Sequence, residues 1–190
     1  MKEYPLQERR LPGEAGLWVL IFGDLSVFSL FFLTFLYYRG VEPAVFRTSQ
    51  LTLSRESGLT NTFLLLTSSL FVAAATRRVR AQRRGARQLF FCAMACGFGF
   101  VVVKACEYAS KFNAGIVFTT NDFFMLYFAF TAIHLVHVLI GLVVLGLLGA
   151  SSGKPGLAPA GLVWIECGAI FWHLVDLLWV VLFSLFYLIQ

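Results

Sequence analysis

The sequence predicts an all-α integral membrane protein, a bundle of five transmembrane helices. Of its 190 residues, 59% are hydrophobic and only 13% are charged, and the mean hydropathy is +0.80. Ordinary soluble domains contain about 25% charged residues, so this composition excludes them. Five apolar runs each approach or exceed the roughly 20 residues that cross the hydrocarbon core of a bilayer. They leave no room for a separate soluble domain, and residues 1–190 are expected to form one membrane domain.

Charged segments, glycines and prolines separate the five apolar runs. The first run follows a charged N-terminal segment, and no small-residue cleavage site follows it, so a cleaved signal peptide is not expected. The second and third runs flank an arginine-rich segment, and the fourth and fifth flank the segment around Lys154. All five prolines lie outside the runs, which agrees with uninterrupted helices. The expected spans are about 17–38, 59–76, 89–109, 123–148 and 162–188.

The segment between the second and third spans carries six arginines within eleven positions, and it predicts the orientation. By the positive-inside rule, this loop is expected to lie in the cytoplasm. The expected location of the protein is the inner membrane of a bacterium. The N-terminus is then cytoplasmic, the 39–58 loop is outside and the C-terminus is periplasmic. No aromatic residue is interleaved with the arginines to stack on bases, so no nucleic-acid partner is expected. The six residues are Arg77, Arg78, Arg80, Arg83, Arg84 and Arg87.

Three ionisable residues lie inside the last apolar run. Glu166 and His173 are seven apart and Asp176 follows His173 by three, so a helix brings them near one face. A charge at the bilayer centre costs about 2.5 to 3.5 kcal/mol on insertion scales, and such residues normally face protein and have a partner. By a rise of about 1.5 Å per residue, His134 and His137 of the fourth run come to a similar depth. We expect these five residues to form an interhelical polar network.

The two histidines also suggest a metal site. An i, i+3 pair of imidazoles with a carboxylate from another helix is a transition-metal ligand set, but neutral histidines also serve as interhelical hydrogen-bonding groups. Since no third or fourth ligand is fixed by the sequence, we favour structural bonding and predict neither a metal ligand nor a catalytic residue.

The remaining polar and amphipathic residues of the spans are candidate lipid or partner contacts. These are Asp24, Lys104, Glu107, Trp172 and Trp179.

Five patterns that occur in order along the chain resemble subunit III of the haem-copper oxidases. They are WVLIFGDLSVFSLFF (18–32), NTFLLLTSS (61–69), KACEY (104–108), FTAIHLVHVLIG (130–141) and FWHLVDLLW (171–179). Within that superfamily, the five spans, the short N-terminus and the Asp-Leu-Leu-Trp ending resemble the NorE-like branch associated with nitric oxide reductase. The larger family often has Gln at the position of Lys104 and Gly at that of Ala132.

The resemblance implies a non-catalytic accessory subunit that binds no haem or metal itself and contacts a membrane catalytic subunit that does. In the NorE-like branch, the implied role is to support the assembly, stability or activity of nitric oxide reductase in denitrification, with its cytochrome c subunit as a further partner. The alternative is subunit III of a cytochrome c or quinol terminal oxidase in aerobic electron transport. Bound phospholipid is implied as well, since related oxidase subunits hold it in a cleft.

Two other classes stay open on the residues alone. A proton-coupled carrier would use Asp24, Glu107, Glu166 and Asp176 as relay groups, although inverted repeats and broken helices, which are frequent in transporters, are not evident. A membrane hydrolase would use the His-x-x-Asp pair, although no nucleophile is identifiable in the sequence.

Overall fold

The computed structural model describes residues 15–152 and 159–188, and within these ranges its elements are helices joined by turns and short loops. The elements are α1 (Ala15–Val41), α2 (Pro43–Leu51), α3 (Arg55–Arg80), α4 (Ala86–Asn113), α5 (Asp122–Ser151) and α6 (Pro159–Phe183), which continues into a π-helical turn (Ser184–Leu188). Among the described residues, five helices are long and apolar enough to cross a membrane. The predicted fold class is confirmed, and the chain is a multi-pass membrane protein.

The observed helices extend past the expected spans by up to four residues at an end. The difference in length arises because the polar residues at the ends of a helix can remain helical beyond its apolar stretch, and only the apolar stretch identifies a span in the sequence. At the start of α3, the Ser54 side chain accepts a hydrogen bond from the backbone N–H of Ser57 at 3.3 Å, which caps the helix. Its last turn contains Arg77, Arg78 and Arg80, whose charges suit the negative end of the helix dipole.

The short helix α2 lies in the segment that the sequence predicted to be a loop. Pro43 occupies its first turn, where proline's fixed φ angle suits helix initiation. Phe46 is fully buried and packs edge-on against Phe35 and Phe123, with ring centroids 5.2 and 5.5 Å apart. The helix is short and of mixed polarity, so a search for membrane spans does not detect it. Its stability comes from docking against α1 and α5.

The α3 and α4 helices form the most extensive pairing of the bundle. The turn that joins them contains two residues with positive φ, Gln82 at 50° and Gly85 at 92°, the second of which suits glycine. Ser68 donates a hydrogen bond to the Ala93 carbonyl at 2.8 Å and fixes the register of the pair. The α5 and α6 helices complete a packed group of four, in which α6 also lies against α3. By contrast, α1 contacts mainly α5 and α6.

Two glycines allow α4 and α5 to approach the buried Trp172 ring of α6. Trp172 is 1% exposed. A Cβ atom added at Gly141 would lie 2.6 Å from the ring's Cε3 atom, and one added at Gly97 would lie 2.8 Å from its Cη2 atom. Real Cβ atoms do not approach other atoms this closely. The two glycines therefore form a slot for the indole, as small residues commonly do between membrane helices.

Large apolar side chains also cover the outside of the bundle. On α1 the exposed residues include Val19, Phe22, Leu30, Leu33 and Tyr37. An outward apolar surface of this kind is what the hydrocarbon core of a bilayer requires. The α1 helix is the least buried span and the last span is the most buried, so α6 is the central helix of the bundle.

Candidate functional site

A buried ion pair connects α4 with α5 and with the π-helical turn. The side chains of Lys104 and Glu107 are 1% and 2% exposed, and Lys104 Nζ lies 3.0 Å from Glu107 Oε2. Lys104 also donates to the hydroxyl oxygens of Tyr127 at 2.9 Å and of Tyr187 at 3.3 Å. Both tyrosine hydroxyls donate to Glu107 Oε1, at 2.9 and 2.6 Å. Each N–H of the ammonium group and both carboxylate oxygens therefore have a partner.

Aromatic rings surround the ammonium group of this cluster. Lys104 Nζ lies 4.7 Å from the centroid of the Tyr127 ring and 5.2 Å from that of Trp179. Cations at such distances are attracted by the ring quadrupole, more strongly where water is excluded. This burial disagrees with the expectation that Lys104 and Glu107 are lipid or partner contacts. They bond within the chain instead.

His134 lies at the centre of the four packed helices. It is fully buried, and its ring contacts those of Phe100 and Trp179, with centroids 5.7 and 5.4 Å apart. Neither ring nitrogen has a hydrogen-bond partner among the described residues.

Trp179 was expected to be a lipid or partner contact. It is instead fully buried and donates through Nε1 to Thr62 Oγ1 at 3.1 Å. Trp172 likewise lies in the interior.

His137 is one helical turn away and faces a different helix. Its Nε2 atom is 3.5 Å from Asp24 Oδ1, and both side chains are only about four-fifths buried, at 20% and 23% exposure. Its Nδ1 atom lies 2.9 Å from the Ile133 carbonyl of its own helix. The pair therefore connects α1 to α5. Asp24 was expected to be a lipid or partner contact. In the structure it instead makes a polar contact with His137 of the same chain.

His173 contacts α3 rather than the histidines of α5. Its Nδ1 atom is 2.6 Å from Ser69 Oγ. The Oδ1 atom of Asp176 is buried without a partner among the described residues. His173 and Asp176 are three residues apart on α6 and so lie near one face of the helix, and His173 contacts Ser69 there.

Glu166 lies toward the arginine-rich end of the bundle. Arg80 donates from Nε to Glu166 Oε1 at 2.8 Å, and the two side chains are 53% and 16% exposed. The contact joins the end of α3 to α6. The six arginines 77, 78, 80, 83, 84 and 87 fall in the end of α3, the turn and the start of α4, so they mark one end of the bundle.

The five residues expected to form one network therefore lie in separate surroundings. Glu166 pairs with Arg80, and His173 bonds to Ser69 of α3. His137 pairs with Asp24, and His134 is enclosed by aromatic rings. The prediction assumed that equal depth implies contact, but residues at one depth of a bundle can face different neighbours. The expectation that α5 and α6 meet through these side chains is corrected accordingly.

Sequence reasoning missed the hydroxyl groups that complete these contacts. These residues are uncharged and of types that are common in membrane helices, so nothing in the sequence marks them as partners of the buried groups. They are Ser69, Thr62, Tyr127 and Tyr187. A partial signal was available, because each buried charge requires a partner. Within the described residues, no group of three or more His, Cys, Asp or Glu side chains is arranged to hold a metal ion.

Comparison with known proteins identifies the family. The family model described as cytochrome c oxidase subunit III matches residues 14–190. The chain is 25% identical to the cytochrome bo(3) ubiquinol oxidase subunit 3 of Pseudomonas putida, over 92% of this chain and 84% of that protein. It is 27% identical to the quinol oxidase subunit 3 of Bacillus subtilis, over 98% and 91% of the two chains. Identity to the cytochrome c oxidase subunit 3 of Synechocystis sp. is also 27%, over 92% and 74%.

These relatives are bacterial, and with the five membrane-spanning helices they show a multi-pass bacterial membrane protein. The match covers every helix of the structure. The chain belongs to the cytochrome c oxidase subunit III family.

Proposed function

We propose that this chain is an accessory subunit of a haem-copper terminal oxidase, where it binds the membrane catalytic subunit and supports its assembly, stability or activity. The observation that carries the proposal is the family match across residues 14–190, together with relatives named as subunit 3 of quinol and cytochrome c oxidases. Haem and copper belong to the catalytic subunit in this proposal. A quinol or a cytochrome c supplies the electrons.

The geometry supports an accessory role because the polar groups bond helix to helix. Lys104 and Glu107 hold α4, α5 and the π-helical turn together, and Asp24 with His137 holds α1 to α5. Such contacts stabilise a fixed arrangement of helices. The exposed apolar faces of α1 and α5 offer surface both to the catalytic subunit and to phospholipid.

The nitric oxide reductase partner expected from the NorE-like resemblance, with its cytochrome c subunit, has less support. The relatives reported above are named as oxidase subunits, and they favour oxygen as the electron acceptor of the complex. The orientation remains the one that the positive-inside rule predicts, with the arginine-rich end of the bundle in the cytoplasm.

A strain that lacks this chain tests the proposal. We expect its membranes to consume oxygen more slowly with quinol or reduced cytochrome c than membranes of the parent strain, and to contain less assembled haem oxidase. Nitric oxide consumption should be unchanged, and the wild-type chain supplied from a plasmid should restore oxygen consumption. Loss of nitric oxide consumption alone would support the reductase partner instead. Proton flux driven by a substrate through the isolated chain in liposomes would support the carrier.

A further inference from the structure

A pocket of about 230 Å³ lies between α3 and α6 at the arginine-rich end of the bundle. Arg77 and Arg80 line it and are exposed. Ala73 of α3 and Ile170 of α6 line it deeper within the span, and His173 is the lining residue farthest along α6 from the arginines. The pocket therefore runs from exposed positive charges into a mainly apolar part of the bundle.

The N–H donors of the two arginines are only partly used within the chain. Arg80 donates from Nε to Glu166 Oε1 at 2.8 Å, which leaves the N–H groups of its terminal nitrogens for another acceptor. None of the ion pairs among the described residues includes Arg77. Two arginines against one glutamate give the pocket lining a net positive charge. Because planar guanidinium groups match the oxygen geometry of phosphate, the lining suits a phosphate group.

An exposed apolar row continues from the pocket along α3. Its members Phe63, Leu66 and Leu70 are 67%, 47% and 68% exposed. Together with Ala73 and Arg77 of the pocket lining, they follow one another at steps of three and four residues, so they share one face of the helix. At a rise of about 1.5 Å per residue, the row extends roughly 15 Å from Ala73 to Phe63. That length is roughly half of a hydrocarbon core about 30 Å thick, so the row matches the acyl region of one lipid leaflet.

A second exposed apolar row lies beside it on α6. Leu177 and Val181 are 52% and 37% exposed, and they continue the face of α6 that lines the pocket. The two helices run antiparallel, because Glu166 meets the end of α3 whereas Trp179 donates to Thr62 nearer its start. Both rows therefore lead away from the arginines toward the opposite end of the bundle, one on each side of the contact between α3 and α6.

We propose that the pocket binds the headgroup phosphate of an anionic phospholipid, whose acyl chain lies along the exposed rows of α3 and α6. The phosphate oxygens accept hydrogen bonds from Arg77 and from the terminal nitrogens of Arg80. The net positive charge of the lining favours a headgroup with a net negative charge over a zwitterionic one. A free phosphate ion would satisfy the arginines but would leave the apolar rows uncovered, so charge and apolar surface together point to the lipid. This site is independent of which catalytic subunit the chain binds.

Native mass spectrometry of the full chain, released from detergent micelles, counts bound lipid molecules and tests this site. We expect one molecule of phosphatidylglycerol to bind more tightly than phosphatidylcholine. Arg77→Gln should lower the affinity for phosphatidylglycerol by about fivefold or more, since a basic residue near a membrane surface contributes that factor. Arg84→Gln is the matched control. It removes the same charge from the same end of the bundle but lies outside the pocket lining, so the affinity should stay unchanged.

Filling the pocket gives an independent measurement. Ala73→Phe keeps every charge but places a ring in the lining and should abolish the tight binding of phosphatidylglycerol, whereas Ala74→Phe, outside the lining, should preserve it. Equal affinities of the wild type and Arg77→Gln would overturn the proposal, as would equal losses in Arg77→Gln and Arg84→Gln. Inorganic phosphate that bound as tightly as the lipid and displaced it would assign the pocket to a free anion instead.

Discussion

At the scale of single residues, Lys104 shows how this bundle holds a charge inside a membrane. Its ammonium group has three hydrogen bonds and lies beside four aromatic rings. Desolvation of a charged pair can cost more than the attraction between its members returns, unless further hydrogen bonds satisfy the remaining atoms. Tyr127 and Tyr187 supply those bonds. The pair is therefore held by the whole cluster.

Removing one member of this pair should be far more damaging than removing both. We expect Lys104→Met to lower the free energy of unfolding by about 3–5 kcal/mol, because Glu107 is left as a buried, uncompensated carboxylate. The double variant Lys104→Met with Glu107→Gln should recover part of the loss. Unfolding titrated with denaturant in detergent micelles provides the measurement.

The more exposed ion pair between Arg80 and Glu166 is the control for that experiment. Arg80 is 53% exposed, and exposed pairs contribute only about 0–1 kcal/mol. Glu166→Gln should therefore change the free energy of unfolding by no more than about 1 kcal/mol. An equal effect of Lys104→Met and Glu166→Gln would contradict the role assigned to the buried cluster.

At the scale of elements, close helix packing depends on the slot around Trp172. The α4 and α5 helices can approach the ring because Gly97 and Gly141 have no side chain. Within the group of α3, α4, α5 and α6, this slot fixes how α6 lies against its neighbours. The α1 helix has a looser attachment, in which Asp24 and His137 contribute a polar contact.

A methyl group in the slot should separate these helices. Gly141→Ala is expected to destabilise the protein by about 1–3 kcal/mol, because the new Cβ would lie 2.6 Å from Trp172 and overpacking costs energy of that order. Gly23→Ala in α1 is the matched control, since no atom lies within 4 Å of its Cβ position. At Gly23, the higher helix propensity of alanine can raise the free energy of unfolding by up to about 1 kcal/mol. Thermal unfolding curves that shifted equally in both variants would refute this account of the slot.

The sequence was sufficient to predict the helices but not the pairing of their polar side chains. Hydropathy located five spans because a lipid environment imposes a length and a composition on each. It could not detect α2, whose burial depends on the docking of Phe46 against Phe35 and Phe123. Nor could it show that Glu166 meets Arg80, since contacts depend on the rotation of each helix as well as on depth. The partners Ser69 and Tyr187 became identifiable only in three dimensions.

At the scale of the whole molecule, charged and polar pairs of the described residues join helix to helix, and large apolar side chains are exposed on the outside of the bundle. Val19, Phe22 and Leu30 of α1 and Val143 of α5 are among the exposed residues. This surface suits a subunit held in the membrane beside another membrane subunit. Family membership extends over all the described helices, so the proposed accessory role applies to the bundle as a unit.

Purification through an affinity tag on this chain, in a mild detergent and from the bacterium that produces it, tests the accessory role most directly. The visible spectrum of the purified material, before and after reduction, reports whether haem is present. We predict a haem spectrum, a co-purified catalytic subunit that contains copper, and oxygen consumption with a quinol or cytochrome c. A folded chain recovered without any haem protein would contradict the account.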